Sequence, residues 1–229
     1  MQTTSIRSSR AKNAKSKAGL SKLVIFDFDG VLFDAFDNVW RTLQPIFRRH
    51  NFRHIRTPQE FRNLFDQNFY AATEQLGFDI CHTPALKKEI ANAMIREYHP
   101  PLHHGMASIV RQLSINYTLA VESSNFERAM KRMLREHGLL RFFTAIAGAD
   151  KEAYKGTRMR ALVRTFKPAK TIFVTDTAGD VLDARKAGIP TIGVTWGYQS
   201  YQQLKKAKPL SIARTPQDLL KKINAFFTP

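Results

Sequence analysis

The amino-terminal part of the chain contains a short apolar run that ends in two carboxylates. Residues 23–26 are all apolar and rich in branched and aromatic side chains, which is typical of a strand buried on both faces. Asp27, Asp29 and Gly30 follow. Because side chains alternate along a strand, Asp27 and Asp29 are expected on the same side, near one point at its carboxyl end. A turn that merely closes a buried strand is the alternative, since turns favour Asp and Gly.

Residues 36–100 form a long stretch with helical periodicity and without a convincing strand. Its first helix has apolar residues at helical spacing: Phe36, Val39, Trp40, Leu43, Ile46 and Phe47. Pro45 is expected to kink or break this helix. Thr57 and Thr83, each followed by proline, mark the starts of two more helices. Because prolines at 100–101 end the pattern, residues 36–100 are predicted to be an inserted helical cap.

After residue 100 the pattern changes to strands alternating with helices. Strands are predicted at 117–121, 143–147, 171–175 and 190–195, and helices at 106–113, 126–137, 157–166 and 178–187. This alternation predicts an α/β fold with a three-layer, Rossmann-like core, in which helices cover both faces of a mostly parallel sheet. The core is assigned to residues 21–35 and 101–229. Residues 1–20 hold almost nothing large and apolar, so they are predicted to be a disordered basic tail.

The composition is that of a globular protein. The 229 residues are 43% hydrophobic, and no apolar run approaches the ~20 residues needed to span a bilayer. Cys81 is the single cysteine, so no intrachain disulfide can form and a reducing compartment, the cytoplasm, is the expected location. The acid-poor tail also resembles an organellar transit peptide, but its apolar face is weak, so a plain basic tail is favoured.

The chain is strongly basic. Its formal net charge is +17, of which the first 22 residues supply only six charges, so the remainder is basic as well. A field of this sign favours anionic partners, which are phosphorylated small molecules, nucleic acid or a membrane surface. A solvated basic surface without a dedicated partner is the alternative.

Polar residues follow several of the predicted strands. They are Asp27, Asp29, Ser123, Ser124 and Asp176, and Lys155 stands between a strand and a helix. Ligands of parallel α/β sheets bind at the carboxyl ends of the strands. Paired carboxylates stay ionised only when a cation shares them, and Mg²⁺ suits oxygen ligands of this kind. The sequence therefore predicts a functional site at this edge of the sheet.

Four segments, in order, resemble the motifs of one enzyme family. They are residues 27–34 (DFDGVLFD), 119–125 (LAVESSN), Lys155 before the helix at 157–162, and 174–180 (VTDTAGD). Over residues 22–200 the chain resembles the haloacid dehalogenase superfamily, in the phosphatase branch with a helical cap, and is phosphoglycolate phosphatase-like. The resemblance implies an enzyme that uses Mg²⁺ and hydrolyses a small phosphate monoester. Phosphomutases share the first motif, so phosphoryl transfer to another acceptor is the alternative reaction.

The resemblance implies a role for each carboxylate of the predicted site. Asp27 is the expected nucleophile, which forms an aspartyl-phosphate, and Asp29 is the expected general acid and base. The expected metal ligands are the side chains of Asp27 and Asp176 and the backbone carbonyl of Asp29. Asp180 is expected to hold Lys155 or the waters of the metal. The acid at Asp29 also favours phosphoryl chemistry over dehalogenation, because a departing halide needs no proton.

The phosphate-binding set implied by the resemblance is Ser123, Ser124 and Lys155. Ser123 and Lys155 are expected to bind the non-bridging oxygens, whose charge needs fixed donors. If the strand ends one residue later, Ser124 or Asn125 is the phosphate donor instead of Ser123. We prefer Ser123. Lys151 lies in the same loop and is the other lysine that could bind the phosphate. Lys155 is preferred because it matches the position before a helix better.

Two residues depart from the usual family pattern. Thr175 stands where the fourth motif usually has glycine, and its side chain is expected either to crowd the site or to add a hydroxyl donor. Glu122 stands where a small or apolar residue is more common. We expect Glu122 to face away from the phosphate or to pair with a basic residue of the cap.

The predicted cap carries a group of basic residues. They are Arg41, Arg48, Arg49, His50, Arg53, His54 and Arg56. One hypothesis is that one or two of them bind a second anionic group of the substrate, and the alternative is a solvated basic face. A nucleic-acid-binding protein that uses the tail and the cap is a competing class, but no recognised motif supports it.

Overall fold

A computed structural model describes residues 22–150, 152 and 154–228 of the chain. Its centre is a parallel sheet of six strands: β1 (Lys22–Phe26), β2 (Thr118–Glu122), β3 (Ala145–Ala147), β4 (Lys170–Thr175), β5 (Thr191–Val194) and β6 (Ser211–Ala213). The strand order is β3-β2-β1-β4-β5-β6, and every neighbouring pair is parallel. The predicted α/β fold with a parallel sheet is confirmed.

Ten α-helices lie within the described residues. They are α1 (Phe36–Arg49), α2 (Pro58–Asn63), α3 (Phe69–Gln75), α4 (Pro84–Glu97), α5 (Met106–Asn116), α6 (Glu127–Glu136), α7 (Lys155–Phe166), α8 (Ala178–Lys186), α9 (Tyr201–Ala207) and α10 (Pro216–Phe227). Short 3₁₀ turns occupy Leu64–Asp66 and Leu140–Phe142. Helices α1 to α4 all fall inside the segment predicted to be a cap.

The strand β1 is buried on both faces, as its apolar run predicts. Val24 and Phe26 pack in the larger hydrophobic core, which also takes residues from α5, α6 and α10. Leu23 and Ile25 point the other way, into a second core that includes Met159 of α7 and residues of α8. Helices therefore cover both faces of the sheet, which gives the three layers expected of a parallel sheet.

Two linkers, around Asp34 and around Pro101, join the helical segment 36–100 to the rest of the chain, and they lie side by side. The amide of Asp34 donates to the carbonyl of Pro101 at 2.9 Å, and Phe33 and Leu102 form an antiparallel bridge. Helices α1 to α4 lie between these segments in sequence and enclose an aromatic cluster of their own, in which Phe52 stacks on Phe78 with ring centroids 4.5 Å apart. Side chains of α1, α3 and α4 line the same cavity as Asp27 and Asp29, so these helices lie over the carboxyl end of β1.

Pro45 does not break α1, so the prediction of a break at this residue is wrong. The helix continues through Pro45 to Arg49. A proline inside a helix removes one backbone hydrogen bond and costs roughly 3 kcal/mol. Its neighbours Leu43 and Ile46 are almost completely buried, as is most of the apolar face of the helix. Packing of that face outweighs the lost hydrogen bond.

The proline-containing start signals are confirmed as helix starts. Thr57 accepts a hydrogen bond from the amide of Glu60, and the Glu60 carboxylate accepts one from the amide of Thr57, so α2 begins with a capping box. Helix α4 begins at Pro84, although the side chain of Thr83 makes no capping hydrogen bond.

The structure extends the alternating pattern beyond the last predicted strand. Helix α9, strand β6 and helix α10 follow, and α10 begins with Thr215 and Pro216, the same start signal as before. The predicted tail and Lys151 lie outside the described residues. None of the described helices is long and apolar enough to cross a membrane.

Candidate active site

The candidate site lies at the carboxyl end of β1, in the middle of the sheet. Strands β2 and β4 flank β1, and the chain order reverses there, which is where parallel α/β sheets bind ligands. All the residues predicted for the site line one cavity: Asp27, Asp29, Ser123, Ser124, Lys155, Asp176 and Asp180. The structure thus brings together residues that are spread over more than 150 positions of the sequence.

A buried lysine joins two of the carboxylates. The ammonium Nζ of Lys155, the first residue of α7, donates to Oδ2 of Asp27 and to Oδ2 of Asp180, both at 2.6 Å. All three side chains are almost fully buried. Buried charges persist when they are paired and hydrogen-bonded, so these three side chains stabilise one another.

The pKa values of this cluster follow from burial and from the pairing. Burial raises the pKa of Asp27, and the ammonium of Lys155 opposes only part of that rise. Burial acts to lower the pKa of Lys155, but Asp180 and Asp27 outweigh it and hold the pKa well above its usual value. Burial likewise acts to raise the pKa of Asp180, but the charge of Lys155 and the hydrogen bonds to the Asp180 carboxylate together outweigh burial, so the pKa is lowered. Lys155 is therefore a permanent positive charge beside Asp27.

Asp176 presents a carboxylate oxygen that lacks a donor. Its Oδ2 accepts a hydrogen bond from the amide of Tyr198 at 2.7 Å, whereas its buried Oδ1 has no hydrogen-bond partner among the described residues. Burial raises the pKa of Asp176 to about 7. A Cβ at Gly30 or at Gly197 would collide with this carboxylate, so two glycines leave it room. An unpartnered carboxylate oxygen on a residue that lines the same cavity as Asp27 fits a hard divalent cation.

Asp29 is held by three hydrogen-bond donors. The hydroxyl of Tyr98 donates to its Oδ1, and Asn125 Nδ2 donates to its Oδ2 at 3.2 Å. The Ser123 hydroxyl lies 3.5 Å from the same Oδ2. Burial raises the pKa of Asp29, and these donors oppose the rise. Asp29 is thus an oriented carboxyl group in the cavity with a pKa above its usual value, which suits proton transfer.

The three polar residues after β2 take different positions. Ser123 is buried next to Asp29, and its Oγ also accepts from the amide of Asn125 at 3.2 Å. The carbonyl of Ser124 accepts from the hydroxyl of Tyr70 in α3 at 2.9 Å. All three line the cavity, and Asn125, an alternative in the sequence analysis, also contacts Asp29.

The opposite wall of the cavity comes from α1 to α4 and is mostly apolar. None of the seven basic residues singled out in this segment lines the cavity. Arg49 and His50 instead pair with Glu89 on the exposed surface, at 2.5 Å and 2.7 Å. Arg53 donates to Asn51 at 2.7 Å. The positions of these residues favour a solvated basic face over contacts with a substrate.

Three residues near the site were missed by sequence reasoning. Tyr98 and Tyr70 belong to the helical segment 36–100 and reach the site from there. Arg158 lies one turn after Lys155 in α7. Tyr98 carries a weak signal, because it directly precedes the return to the core. No feature of the sequence distinguishes Tyr70 from the other aromatic residues of helices α1 to α4. Arg158 lies on the same helix face as Lys155, which is a usable signal.

The comparison with protein families decides the assignment. The family model for haloacid dehalogenase-like hydrolases matches residues 24–194. The chain belongs to this family. That match covers every predicted site residue from Asp27 to Asp180, so the resemblance carried by the four motifs is confirmed.

Curated relatives support the same family assignment, and a solved structure shares the fold. The protein named "Probable phosphatase IndB" of Dickeya dadantii is 30% identical over 217 residues, which cover 86% of this chain and 90% of that protein. Phosphoglycolate phosphatase of Synechococcus elongatus is 27% identical over 214 residues, 87% of this chain and 96% of that protein. The crystal structure of a predicted phosphatase from Clostridium acetobutylicum has a TM-score of 0.76 at 22% identity and covers 90% of this chain and all of that chain. The predicted enzyme class, a hydrolase of the phosphatase branch, is confirmed.

Within this family, the two departures of this chain now have a structural account. Thr175 adds a donor rather than crowding the site, because its hydroxyl donates to Oδ2 of Asp180 at 2.8 Å. Glu122 is completely buried and pairs with Arg158 at 2.6 Å. Its partner thus comes from core helix α7 and not from the cap. Arg158 also donates to the carbonyl of Ser123 at 3.1 Å and to the carbonyl of Glu152, so the pair connects the end of β2 with the loop before Lys155.

Proposed function

We propose that this protein is a Mg²⁺-dependent phosphatase that hydrolyses a small phosphate monoester through an aspartyl-phosphate on Asp27. The observation that carries the proposal is the convergence of Asp27, the ammonium of Lys155 and the unpartnered Oδ1 of Asp176 in one buried cavity. A phosphoryl group between them meets a nucleophile, a fixed positive charge and a cation ligand.

The proposed metal site consists of the side chains of Asp27 and Asp176 and the backbone carbonyl of Asp29. The orphaned oxygen of Asp176 and the raised pKa values of Asp27 and Asp176 support it, because both carboxyl groups lack enough positive charge to stay ionised. Bound Mg²⁺ supplies charge neutralisation, which allows a carboxylate to approach an anionic ester.

In the proposed mechanism the residues of this chain divide the work. A carboxylate oxygen of Asp27 attacks phosphorus, and the ester oxygen leaves with the proton of Asp29. Asp29 then takes a proton from the water that attacks the aspartyl-phosphate, which releases inorganic phosphate and restores Asp27. Tyr98 and Asn125 hold the Asp29 carboxyl group in place during both transfers.

The phosphoryl oxygens are the proposed ligands of Lys155, Ser123 and Ser124. Lys155 is held in the cavity by Asp180, whose carboxylate is held in turn by Thr175. A cation fixed in advance stabilises developing charge without reorganisation at the moment of reaction. Asp180 therefore acts through Lys155 in this scheme.

The helical segment 36–100 is the proposed cap, and the core comprises residues 21–35 and 101–229. The pairing of the two linkers and the contact of Tyr70 with the Ser124 carbonyl support a unit that closes over the site. The partner is a small phosphorylated molecule. The cytoplasmic location and the role of the basic tail stay predictions.

The direct test is phosphate release from a panel of phosphate esters by the wild type and by Asp27→Asn, with Mg²⁺ and with EDTA. We expect inorganic phosphate to be released only with the metal, and Asp27→Asn to lose at least about a thousandfold in kcat. Retained activity in Asp27→Asn would overturn the assignment of the nucleophile. Transfer of the phosphoryl group to a second position of the substrate, without free phosphate, would identify a mutase instead.

A further inference from the structure

The wall of the cavity that the helical segment 36–100 supplies is mostly apolar. Its side chains come from α1, from the turn after α2, and from α3 and α4, and they include Val39, Leu43, Phe65, Phe69, Ile90 and Met94. Most of them are buried in the larger hydrophobic core. The part of a substrate that projects away from Asp27 and Lys155 meets this wall.

Positive charge is absent from this wall in the part of the chain that the structure describes. Lys155 is the single cation among the described residues that line the cavity, and its ammonium is already placed between Asp27 and Asp180. The guanidinium of Arg62 in α2 lies 3.7 Å above the ring of Phe36 and donates to the carbonyl of Tyr198, outside the cavity lining. A second anionic group of a substrate would therefore find no counter-charge on this wall among the described residues, and burying an unpaired charge is unfavourable.

The polar groups on the same side are few. The Tyr70 hydroxyl is used by the Ser124 carbonyl, and the Gln67 amide donates to Gln75 at 2.9 Å. Tyr198 also lines the cavity, and its buried hydroxyl has no hydrogen-bond partner among the described residues. The Tyr198 hydroxyl is therefore one polar group on this side that a substrate can use beyond the phosphoryl group.

We propose that the substrate is a phosphate monoester of an uncharged, largely apolar alcohol, and not of a carboxylic acid or of a polyhydroxylated sugar. This inference rests on the proposed phosphatase function and adds the class of leaving group. Burying apolar surface against this wall favours such an alcohol, whereas a carboxylate loses its hydration without gaining a partner.

A matched pair of substrates tests the inference. The leaving groups of 3-methylbutyl phosphate and 3-(phosphonooxy)propanoate have the same length and branching, and only the second ends in a carboxylate. We expect kcat/KM for 3-methylbutyl phosphate to be higher by at least about tenfold, which is the scale of discrimination by an apolar pocket. A preference for the carboxylate ester, or equal kcat/KM values, would overturn the inference and leave the phosphatase function standing.

The variant Met94→Lys supplies the complementary test, with Met94→Gln as the neutral control. Met94 lies in the apolar wall, so a lysine there is expected to shift the ratio of the two kcat/KM values towards the carboxylate ester by about tenfold. Met94→Gln is expected to shift it less, and an equal shift in both variants would contradict the role of charge. Circular dichroism and thermal unfolding establish that each variant is folded. If the wild type hydrolyses neither ester nor para-nitrophenyl phosphate, the proposed function itself fails.

Discussion

Tyr98, one residue beyond helix α4, donates its hydroxyl hydrogen to Oδ1 of Asp29, which lies 69 positions earlier in the chain. Tyr98 is completely buried, and Arg132 of core helix α6 donates to its carbonyl at 2.5 Å. Tyr98, near the end of the helical segment 36–100, is thereby connected to helix α6 and to the proposed acid and base. Tyr98 thus contacts α6 through its backbone carbonyl and orients Asp29 through its side chain.

Replacing Tyr98 by phenylalanine removes this donor and keeps the ring. We expect Tyr98→Phe to lower kcat by about 10- to 100-fold, because Asp29 loses one of the contacts that orient it. Tyr117→Phe is the matched control, since the Tyr117 hydroxyl donates to Asn224 away from the cavity. Steady-state kinetics of both variants, with their thermal unfolding, provide the measurement. An unchanged kcat in Tyr98→Phe would contradict the positioning role.

The buried pair of Glu122 and Arg158 is expected to be costly to break from one side. Arg158→Met leaves an unpaired carboxylate in the core and is expected to lower the free energy of unfolding by about 3–5 kcal/mol. The double variant Glu122→Leu/Arg158→Met removes both charges and is expected to recover a large part of that loss. Urea unfolding of both single variants and the double variant measures the coupling. Simple additivity of the two single effects would show that the pair does not act as one unit.

Gly179 and Gly156 occupy equivalent helix positions, but replacing them by alanine is expected to have opposite effects. Gly179 is the second residue of α8, and a Cβ there would collide with the backbone of Gln67, which belongs to the segment over the site. Gly156 is the second residue of α7, and a Cβ there would meet its nearest neighbour at 3.4 Å.

We therefore expect Gly179→Ala to displace that segment and lower kcat/KM by about tenfold or more, since small misplacements near the chemistry are costly. Gly156→Ala is expected to retain the activity, and its helix propensity favours the fold by roughly 0.5–1 kcal/mol. Kinetics and urea unfolding of the two alanine variants check both parts. Equal activity in both variants would show that the contact between Gly179 and Gln67 does not matter.

The capping box at the start of α2 predicts a pH dependence of stability. The hydrogen bond from the amide of Arg56, together with that from Thr57, lowers the pKa of Glu60. A carboxyl group whose pKa is lower in the folded state stabilises the fold above its unfolded pKa, and this contribution is lost as the pH falls through the folded value.

The free energy of unfolding of the wild type, compared with that of Glu60→Gln, measures this effect. The advantage of the wild type is expected to be complete at neutral pH and to shrink as the pH falls below about 4, where free glutamate becomes protonated. A difference between the two proteins that does not vary with pH would indicate that the charge of Glu60 contributes nothing.

The gathering of the site residues was predictable because it depends on topology alone. Side chains that directly follow strands of a parallel sheet meet at one edge, whatever the helices do in detail. Asp27, Ser123 and Asp176 follow the three central strands, so placing the strands was enough to bring them together. Lys155 was placed in the same way, by the loop between β3 and α7.

The features that the sequence did not reveal depend on how helices pack. The charge pattern of α1 does not tell whether Arg49 faces solvent or the cavity until the docking of α1 and α4 is known, and it faces Glu89 on the surface. The contact between Tyr98 and Asp29 depends on how the helical segment 36–100 packs against the end of β1. Pro45 was judged by local geometry, whereas the burial of the surrounding face decides its tolerance.

The central claim is that Asp27 becomes phosphorylated during turnover. In Asp29→Asn the second step lacks its base, so an activated aryl phosphate, whose leaving group needs little protonation, is expected to leave a phosphoryl group on the enzyme. Acid quench followed by mass spectrometry of the peptides locates it. We predict one phosphoryl group on Asp27, and none in the double variant Asp27→Asn/Asp29→Asn, which is the control. Substrate turnover with no adduct at Asp27, or with the phosphoryl group on another residue, would contradict the account.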